Sequence, residues 1–290
     1  MNEENEYDIS VKIDNGVLNK LFKSFKSGQF SNSKMNVGTN PLCQLFFQDN
    51  QPFFLLKISF GLSYLIIQIP TKEMKLPDNK DEIFCLIYYE DLLESLFSPI
   101  LFVWEADVIM NINLEDGEFI INMINNYTEG EEDEYESITY RKQLVNNEVD
   151  TLFPNLGESD WSFEMKGKNV SNFIFVMDIL AKEEERENNF FDLYLRSKEK
   201  IEIIKTDKFD NKTLITFQIE LTQKSELFHF GDHFTYGTCD FSSFLNSFAQ
   251  GSDEITFYFL EDGRMIIEKN LLKDWPDFRV KQQFSPIVKN

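Results

Sequence analysis

An eight-residue segment occurs twice in this chain, and it constrains the fold more than any other sequence feature. LEDGEFII occupies residues 114–121, and LEDGRMII occupies residues 260–267, 146 positions later. In each copy alternating apolar residues flank an acidic turn with one glycine, which is typical of a β-hairpin. We expect Gly117 and Gly263 to take the positive φ that such turns require. The acidic residues are expected to serve the turns alone: Glu115, Asp116, Glu261 and Asp262.

The repeat extends upstream of the hairpins. Each hairpin follows a short amphipathic helix, predicted at Glu90–Phe97 and Asp240–Phe248, with Glu90 and Asp240 as the expected N-caps. Each half also opens with a strand and a helix. They are Tyr7–Ile13 and Gly16–Lys26 in the first half, and Trp161–Met165 and Asn169 to about Glu184 in the second. A shift of 152 residues superposes the apolar faces of these two helices.

Further strands are predicted between and after the helices. The first half has Leu42–Gln48, Phe53–Phe60, Leu62–Ile69, Ile83–Tyr89 and Tyr135–Gln143; the second has Phe190–Leu195, Ile201–Thr206, Thr213–Leu221, Leu227–Cys239 and Phe278 to about Phe284. The sequence therefore predicts an α+β protein with two repeated domains, residues 1–143 and 161–290, each built on antiparallel sheets. Residues 144–160 have the composition of a linker.

Charge restricts any contact with nucleic acid to a local surface. The chain has 28 basic and 50 acidic side chains and a net charge of −22, which repels DNA on average. On the helix Gly16–Lys26, Lys20 and Lys23 lie opposite the apolar face and Lys26 flanks them. These cations could contact phosphates without reading the base sequence, or they could simply solvate the back of the helix. The third helix offers Lys168 and Lys182.

No catalytic motif is present. A glycine-rich phosphate loop, a nucleophile elbow and an acid pair are all absent from the sequence. His229 and His233 are four residues apart with Cys239 nearby, but their aromatic, glycine-containing surroundings predict strand or turn. A closed zinc site also requires four ligands. The sequence predicts no cofactor, no metal and no enzyme. An unrecognised metal-dependent hydrolase and an acidic protein-interaction module without a ring remain the alternatives.

The layout of two repeats resembles the DNA sliding clamp superfamily of the PCNA type. In that family two equivalent domains are joined by an interdomain connector, and three subunits close a ring around duplex DNA. The segment Asp240–Lys269 is similar to the second-domain end of the Rad-nine subunit of the nine-one-one checkpoint clamp. The resemblance implies antiparallel sheets outside and two lining helices per domain. It also implies a nuclear, non-catalytic protein of DNA replication, repair or the DNA damage response. A checkpoint paralogue, a divergent replication clamp and a viral clamp are the three alternatives within this resemblance.

The resemblance further implies three functional surfaces. The DNA-facing residues would be Lys20, Lys23, Lys26, Lys168 and Lys182. The subunit interface would use edge strands at Ile138–Gln143 and Thr213–Leu221, with Ile138, Tyr140, Arg141, Leu214, Thr216, Gln218 and Ile219. A groove for partner peptides would lie beside the connector, at Val149, Leu152, Phe153, Pro154 and Leu156.

The expected partners are two other clamp subunits, duplex DNA, a clamp loader and proteins with peptide motifs, with no membrane. A heterotrimer is favoured over a homotrimer, because three copies of this chain would give the hole only a weak positive charge.

Overall fold

The computed structural model describes residues 7–27, 41–60, 63–78, 80–96, 107–124, 137–145, 159, 161–182, 190–206, 212–224, 229–249, 251, 254–272 and 275–287. Module 1 is defined by its elements β1 (Ile9–Ile13), α1 (Asn15–Ser27), β2 (Leu42–Gln48), β3 (Phe53–Phe60), β4 (Ser63–Pro70), β5 (Glu73–Lys75), β6 (Glu82–Tyr88), α2 (Tyr89–Glu94), β7 (Val108–Asn113), β8 (Glu118–Ile124) and β9 (Ser137–Gln143). Module 2 is defined by β10 (Trp161–Lys166), α3 (Lys168–Lys182), β11 (Phe190–Ser197), β12 (Lys200–Thr206), β13 (Lys212–Gln218), β14 (Glu220–Lys224), β15 (His233–Gly237), α4 (Thr238–Phe244), β16 (Glu254–Phe259), β17 (Met265–Leu272) and β18 (Trp275–Phe284).

The two modules have the same order of elements: strand, helix, five strands, helix, three strands. In module 2 the second helix continues as a π-helical turn, Leu245–Ala249. The equivalence extends to single hydrogen bonds after the last strands. Val145 N donates to Leu86 O at 2.8 Å, and Ile287 N donates to Thr235 O, also at 2.8 Å. This repetition confirms the α+β architecture with two repeats that the sequence predicts.

The strands form three antiparallel sheets. The five-stranded sheet has the order β5-β1-β7-β8-β9, the four-stranded sheet has the order β13-β12-β11-β15, and the nine-stranded sheet has the order β14-β10-β16-β17-β18-β4-β3-β2-β6. The nine-stranded sheet is a five-stranded sheet of module 2 joined to a four-stranded sheet of module 1. The pair β18–β4, here called the internal junction, is the only link between them among the described strands.

The internal junction has a defined register. Arg279 lies opposite Gln68, Val280 opposite Ile67 and Gln282 opposite Leu65. Val280, Ile67 and Leu65 are fully buried. A second contact joins the modules at the helices, where the rings of Phe25 on α1 and Phe248 after α4 meet edge-on at 5.7 Å. Apolar packing between the strands of the internal junction and between the helices therefore fixes the modules to each other.

Strands and helices share one core. Alternate residues along the strands are buried, as in β1, where Ile9, Val11 and Ile13 are all inaccessible. The apolar faces of the helices belong to the same cluster, for instance Leu21 on α1 and Phe173 on α3. These two residues are also related by the 152-residue shift. None of the described helices is long and apolar enough to cross a membrane.

Both repeated hairpins form as predicted, with φ of 65° at Gly117 and 80° at Gly263. A side chain at Gly263 would also collide with the ring of Phe234. Tyr236 donates a hydrogen bond to Gly263 O at 2.7 Å. The second hairpin is therefore packed onto β15, whereas the first has open space around Gly117.

Several local predictions were wrong. The N-caps of α2 and α4 are Tyr88 and Gly237 rather than Glu90 and Asp240, and neither makes a side-chain cap hydrogen bond. Both helices continue directly from a strand, and Tyr89 N instead donates to Pro41 O. The single strand predicted at residues 213–221 is two strands, because the chain leaves β13 for a different sheet at Ile219. The short strand β5 was not predicted.

Candidate functional site

The solvent-facing side of α1 carries the predicted cations. Lys23 is exposed and Lys20 is half-buried, while Val17 and Leu18 on the opposite side are fully buried. Lys26 belongs to α1, but its side chain lies outside the described part of the structure. The amphipathic pattern therefore orients α1 as predicted, with ammonium groups directed away from the core.

The beginning of α1 is fixed by an ion network. Asp14 Oδ1 accepts a hydrogen bond from Gly16 N at 2.8 Å, which satisfies one of the first N–H groups of the helix. Lys72 Nζ lies 2.9 Å from Asp14 and 2.6 Å from Asp107. Burial alone raises the pKa of Asp14, but the hydrogen bonds from Lys72 and Gly16 outweigh burial and hold that pKa below its usual value. Asp14 thus stays ionised and holds the start of the helix in place.

The exposed face of α3 differs from that of α1. Lys168, the first residue of α3, is exposed, whereas the side chain of Lys182, the last residue, is outside the described set. Phe175 is 66% exposed and Ile179 is also exposed. The 152-residue shift that relates the helices places Phe175 at the position of Lys23. An apolar side chain in module 2 thus replaces a cation in module 1.

The C-terminal turn of α3 is held by a buried lysine. Lys205, on the core side of β12, donates a hydrogen bond from Nζ to Leu180 O. A cation at this end of a helix satisfies a carbonyl that has no partner within the helix and interacts favourably with the helix dipole. Lys205 therefore positions α3 from inside the core and is not a candidate for DNA contact.

The second helix of each module adds no positive charge. In α2, Glu90 and Glu94 are exposed. Lys142 on β9 lies 2.6 Å from Glu94 and 3.2 Å from Asp91. These two carboxylates, with the hydrogen bond to Glu94 as the main cause, raise the pKa of Lys142 above its usual value. Lys142 therefore ties β9 to α2.

The predicted interface strands β9 and β13 each lie at the edge of a sheet. Within the described part of the chain, β9 pairs only with β8 and β13 pairs only with β12. On β9, Ile138 and Tyr140 are half-buried and Arg141 is exposed. On β13, three predicted residues are exposed, namely Leu214, Thr216 and Gln218. Ile219 lies beyond β13 and is only 8% exposed, because it faces the core. We call β9 and β13 the outer edges.

The outer edges are the counterparts of the two strands of the internal junction. Counting from the turn glycines, Phe119–Lys142 in module 1 corresponds to Met265–Phe284 in module 2, so β9 corresponds to β18. The second helix begins four residues after Cys85 in module 1 and four residues after Phe234 in module 2, so these two residues are equivalent. Across the neighbouring strands, Cys85 is in one row with Leu45, Leu56 and Ile67. Phe234 is in one row with Leu193, Ile203 and Ile215. Ile215 therefore corresponds to Ile67, and β13 to β4.

The edge strand β6 of module 1 exposes aromatic side chains. Phe84 and Tyr88, on the edge strand β6, are 40% and 42% exposed. Lys57 lies over the neighbouring Phe46 ring, with Nζ 4.8 Å from its centroid. Val145, the last described residue after β9, donates to Leu86 O on β6, so the chain leaves module 1 beside this surface. The predicted groove residues fall outside the described residues: Val149, Leu152, Phe153, Pro154 and Leu156.

The histidines do not form a metal site with any other described residue. His233 stacks on Tyr194 with ring centroids 4.5 Å apart, and both histidines are exposed. No group of three or more metal-ligating side chains lies together in the described ranges.

Cys43 and Cys85 are free and buried, and burial raises the pKa of Cys85 to about 12. A thiol that stays protonated is a poor metal ligand and a poor nucleophile.

No family model matches this chain, and no curated protein matches it. The three-dimensional structure matches the crystal structure of proliferating cellular nuclear antigen (PCNA) from Entamoeba histolytica with a TM-score of 0.65. The match covers 98% of this chain and 100% of that chain, at 12% sequence identity. The chain has the PCNA fold. At this identity the clamp-like similarity concerns the fold, and function has to be argued from the surfaces.

Proposed function

We propose that this chain is a non-catalytic subunit of a ring-shaped DNA sliding clamp. The observation that carries the proposal is the correspondence between the internal junction and the outer edges. The strands β18 and β4 pair within the chain, while their counterparts β9 and β13 end two sheets with no further partner among the described strands. Edge strands of this kind readily pair with a strand from another chain.

Pairing of β9 with β13 of a neighbouring subunit would repeat the geometry of the internal junction. Each subunit would then present one strand at one end and its complement at the other, which is a head-to-tail contact. A head-to-tail contact closes a ring when the rotation per subunit divides a full turn. The clamp resemblance of the sequence and the PCNA fold both support closure with three subunits.

Duplex DNA would pass through the hole of the ring, facing the helices that line it. Lys20 and Lys23 on α1 and Lys168 on α3 are the described cations that we propose for contact with the DNA. Contacts from such groups to phosphates position DNA without specifying its base sequence, as a protein that slides requires. The net charge of −22 keeps DNA away from the rest of the surface. Lys26 and Lys182 belong to the same two helices and would add to this set of cations.

The outer surface would tether other proteins. The exposed rings of Phe84 and Tyr88, beside the point where the chain leaves β9, offer apolar contact to a partner peptide. The connector residues Val149 to Leu156 would complete this groove. We propose a clamp loader and peptide-motif proteins as partners, and a nuclear role in replication, repair or DNA damage checkpoints. The similarity of residues 240–269 to the Rad-nine subunit favours the checkpoint clamp.

Retention on circular DNA tests the proposed function. The tagged full-length chain is added to an extract of its source cells, which supplies partner subunits and a loader, together with nicked circular DNA. The DNA is then isolated at roughly 0.3 M salt, where simple phosphate contacts are weak. We expect the chain to remain on intact circles and to leave circles that a restriction enzyme has opened. Equal retention on circular and linear DNA would contradict encirclement and favour an interaction module without a ring.

A further inference from the structure

The charges at the outer edges indicate which strand each edge accepts. This inference rests on the proposed function, because it concerns how β9 and β13 pair between subunits. The register of the internal junction, transferred to the outer edges, places Ile138 opposite Ile215 and Thr139 opposite Leu214. It also places Arg141 opposite Lys212. The first two pairs carry no charge, whereas the third sets two cations against each other when the partner is a copy of this chain.

Neither outer edge provides a carboxylate to separate these cations. Arg141 has a highly exposed side chain, and its ion pair is with Glu118 on its own sheet, at 3.6 Å. Lys212 is exposed and makes no ion pair with the described residues. Self-pairing would therefore bring a second positive charge to Arg141 without a new negative one.

The internal junction avoids this arrangement. The counterparts of Arg141 and Lys212 there are Gln283 and Tyr64, which are uncharged and lie opposite each other. The cations that β18 does have, Arg279 and Lys281, are both bound by Glu268 on β17 at 3.1 and 2.9 Å. Within the described residues the junction therefore contains no pair of like charges across its two strands.

We propose that the outer edges select a different clamp subunit, with a carboxylate opposite Arg141 or Lys212, over a second copy of this chain. Opposite charges directly across two antiparallel strands stabilise the pair, and like charges destabilise it by a similar amount. Replacing repulsion by attraction changes the dissociation constant of one interface by about tenfold. The apolar pairs provide affinity, and the charged pair discriminates between partners.

Charge reversal at β13 tests this selection on the purified full-length chain. Lys212→Glu places a carboxylate opposite Arg141, and we expect self-association about tenfold tighter than that of the wild type in sedimentation equilibrium. Lys200→Glu is the matched control, because it makes the same change of charge on β12, away from the outer edge. The control should show no gain. Adding Arg141→Glu to Lys212→Glu restores like charges and should remove the gain.

Cross-linking separates the selection from the interface itself. A Thr139→Cys chain is mixed with a Leu214→Cys chain, both in the Lys212→Glu background, and oxidised. We expect a disulfide-linked dimer only in the mixture. If wild-type edges cross-link and associate as tightly as Lys212→Glu, the charge selection is overturned while the interface stands. If no background gives the mixed dimer, the register transferred from the internal junction is overturned and the charge selection with it, whereas retention on circular DNA tests the ring separately.

Discussion

The internal junction and the outer edges share their topology but differ in how their surfaces are completed. At the junction Val280 and Phe284 are buried, and the contact continues into the helices through Phe25 and Phe248. At the outer edges the counterpart of Val280, Ile138, is only half-buried, and Leu214 is 55% exposed. The comparison teaches that the same strand geometry occurs twice: it is paired inside the core at the junction, and it is unpaired among the described strands at the outer edges, where we propose that another chain completes it.

Polar groups follow the same division. Glu268 at the junction binds two cations of β18, whereas its counterpart Asn122 accepts a single hydrogen bond from Thr139 at 3.0 Å. Phe284 fills the core at the end of β18, whereas its counterpart Lys142 holds the end of β9 to α2 through carboxylates. The junction depends on burial, and the outer edge depends more on interactions that water and salt weaken.

The largest expected effect is on the stability of the junction. Val280→Asp buries an unpaired carboxylate opposite Ile67 and should lower the free energy of unfolding by roughly 4 kcal/mol. Ile138→Asp is the matched change at the outer edge, and it should cost under about 1.5 kcal/mol in the isolated chain, because water reaches this position. Urea denaturation of both variants measures the difference. Equal losses would show that β18–β4 is no more integral to the fold than β9.

The next effect is on assembly. Ile138→Asp places a charge against the edge strand of the neighbouring subunit that corresponds to β13, so association through β9 should weaken by about 100-fold or more. Co-purification of partner subunits with the tagged chain gives the measurement. Asn122→Ala, behind the same strand, is the control and should retain the partners. Full retention of partners by Ile138→Asp would exclude β9 from the interface.

A smaller effect is expected at the ion cluster of the junction. Glu268→Gln removes the charge that holds Arg279 and Lys281, and should lower the free energy of unfolding by about 1–2 kcal/mol. Because Glu268 is buried, salt screens its two ion pairs only weakly, and the loss should persist at high salt. Urea denaturation at low and high salt makes the measurement. A loss that disappears with salt would mean that the cluster acts as a surface ion pair.

The smallest effect concerns pH at the outer edge. The pKa of Lys142 is raised in the folded chain, so its ion pairs contribute stability that is fully present below the usual lysine pKa and is lost as pH rises through the raised value. Lys142→Met should lower the free energy of unfolding by about 0.5 kcal/mol at neutral pH. The gap between wild type and variant should close above about pH 10.5. A gap that widens with pH would contradict the ion-pair tether.

Much of the fold could be predicted from the sequence because the repeat is written in local patterns. The hairpin glycines, the apolar face of α1 and the alternating strands each depend on neighbours along the chain. The helix starts could not be predicted, because Tyr88 and Gly237 cap α2 and α4 without side-chain hydrogen bonds. The chain instead passes straight from strand to helix, which leaves no cap residue in the sequence.

The nine-stranded sheet could not be predicted for a different reason. The pairing of β18 with β4 joins residues more than 200 positions apart, and no local pattern records it. The break at Ile219 could not be predicted either, because the alternation of apolar residues continues while the chain changes from one sheet to another.

For the candidate site, the pattern of α1 correctly placed Lys20 and Lys23 away from the core. It gave no warning that Phe175 would occupy the matching position on α3. The connector residues of the groove stay a prediction.

Electron microscopy of the native assembly tests the central claim most directly. The tagged full-length chain is purified with its partners from its source cells and imaged without cross-linking. We predict a closed ring of three elongated subunits, in which internal junctions alternate with subunit interfaces around a hole wide enough for duplex DNA. A compact particle without a hole, or a dimer joined through two copies of the same edge, would contradict the account.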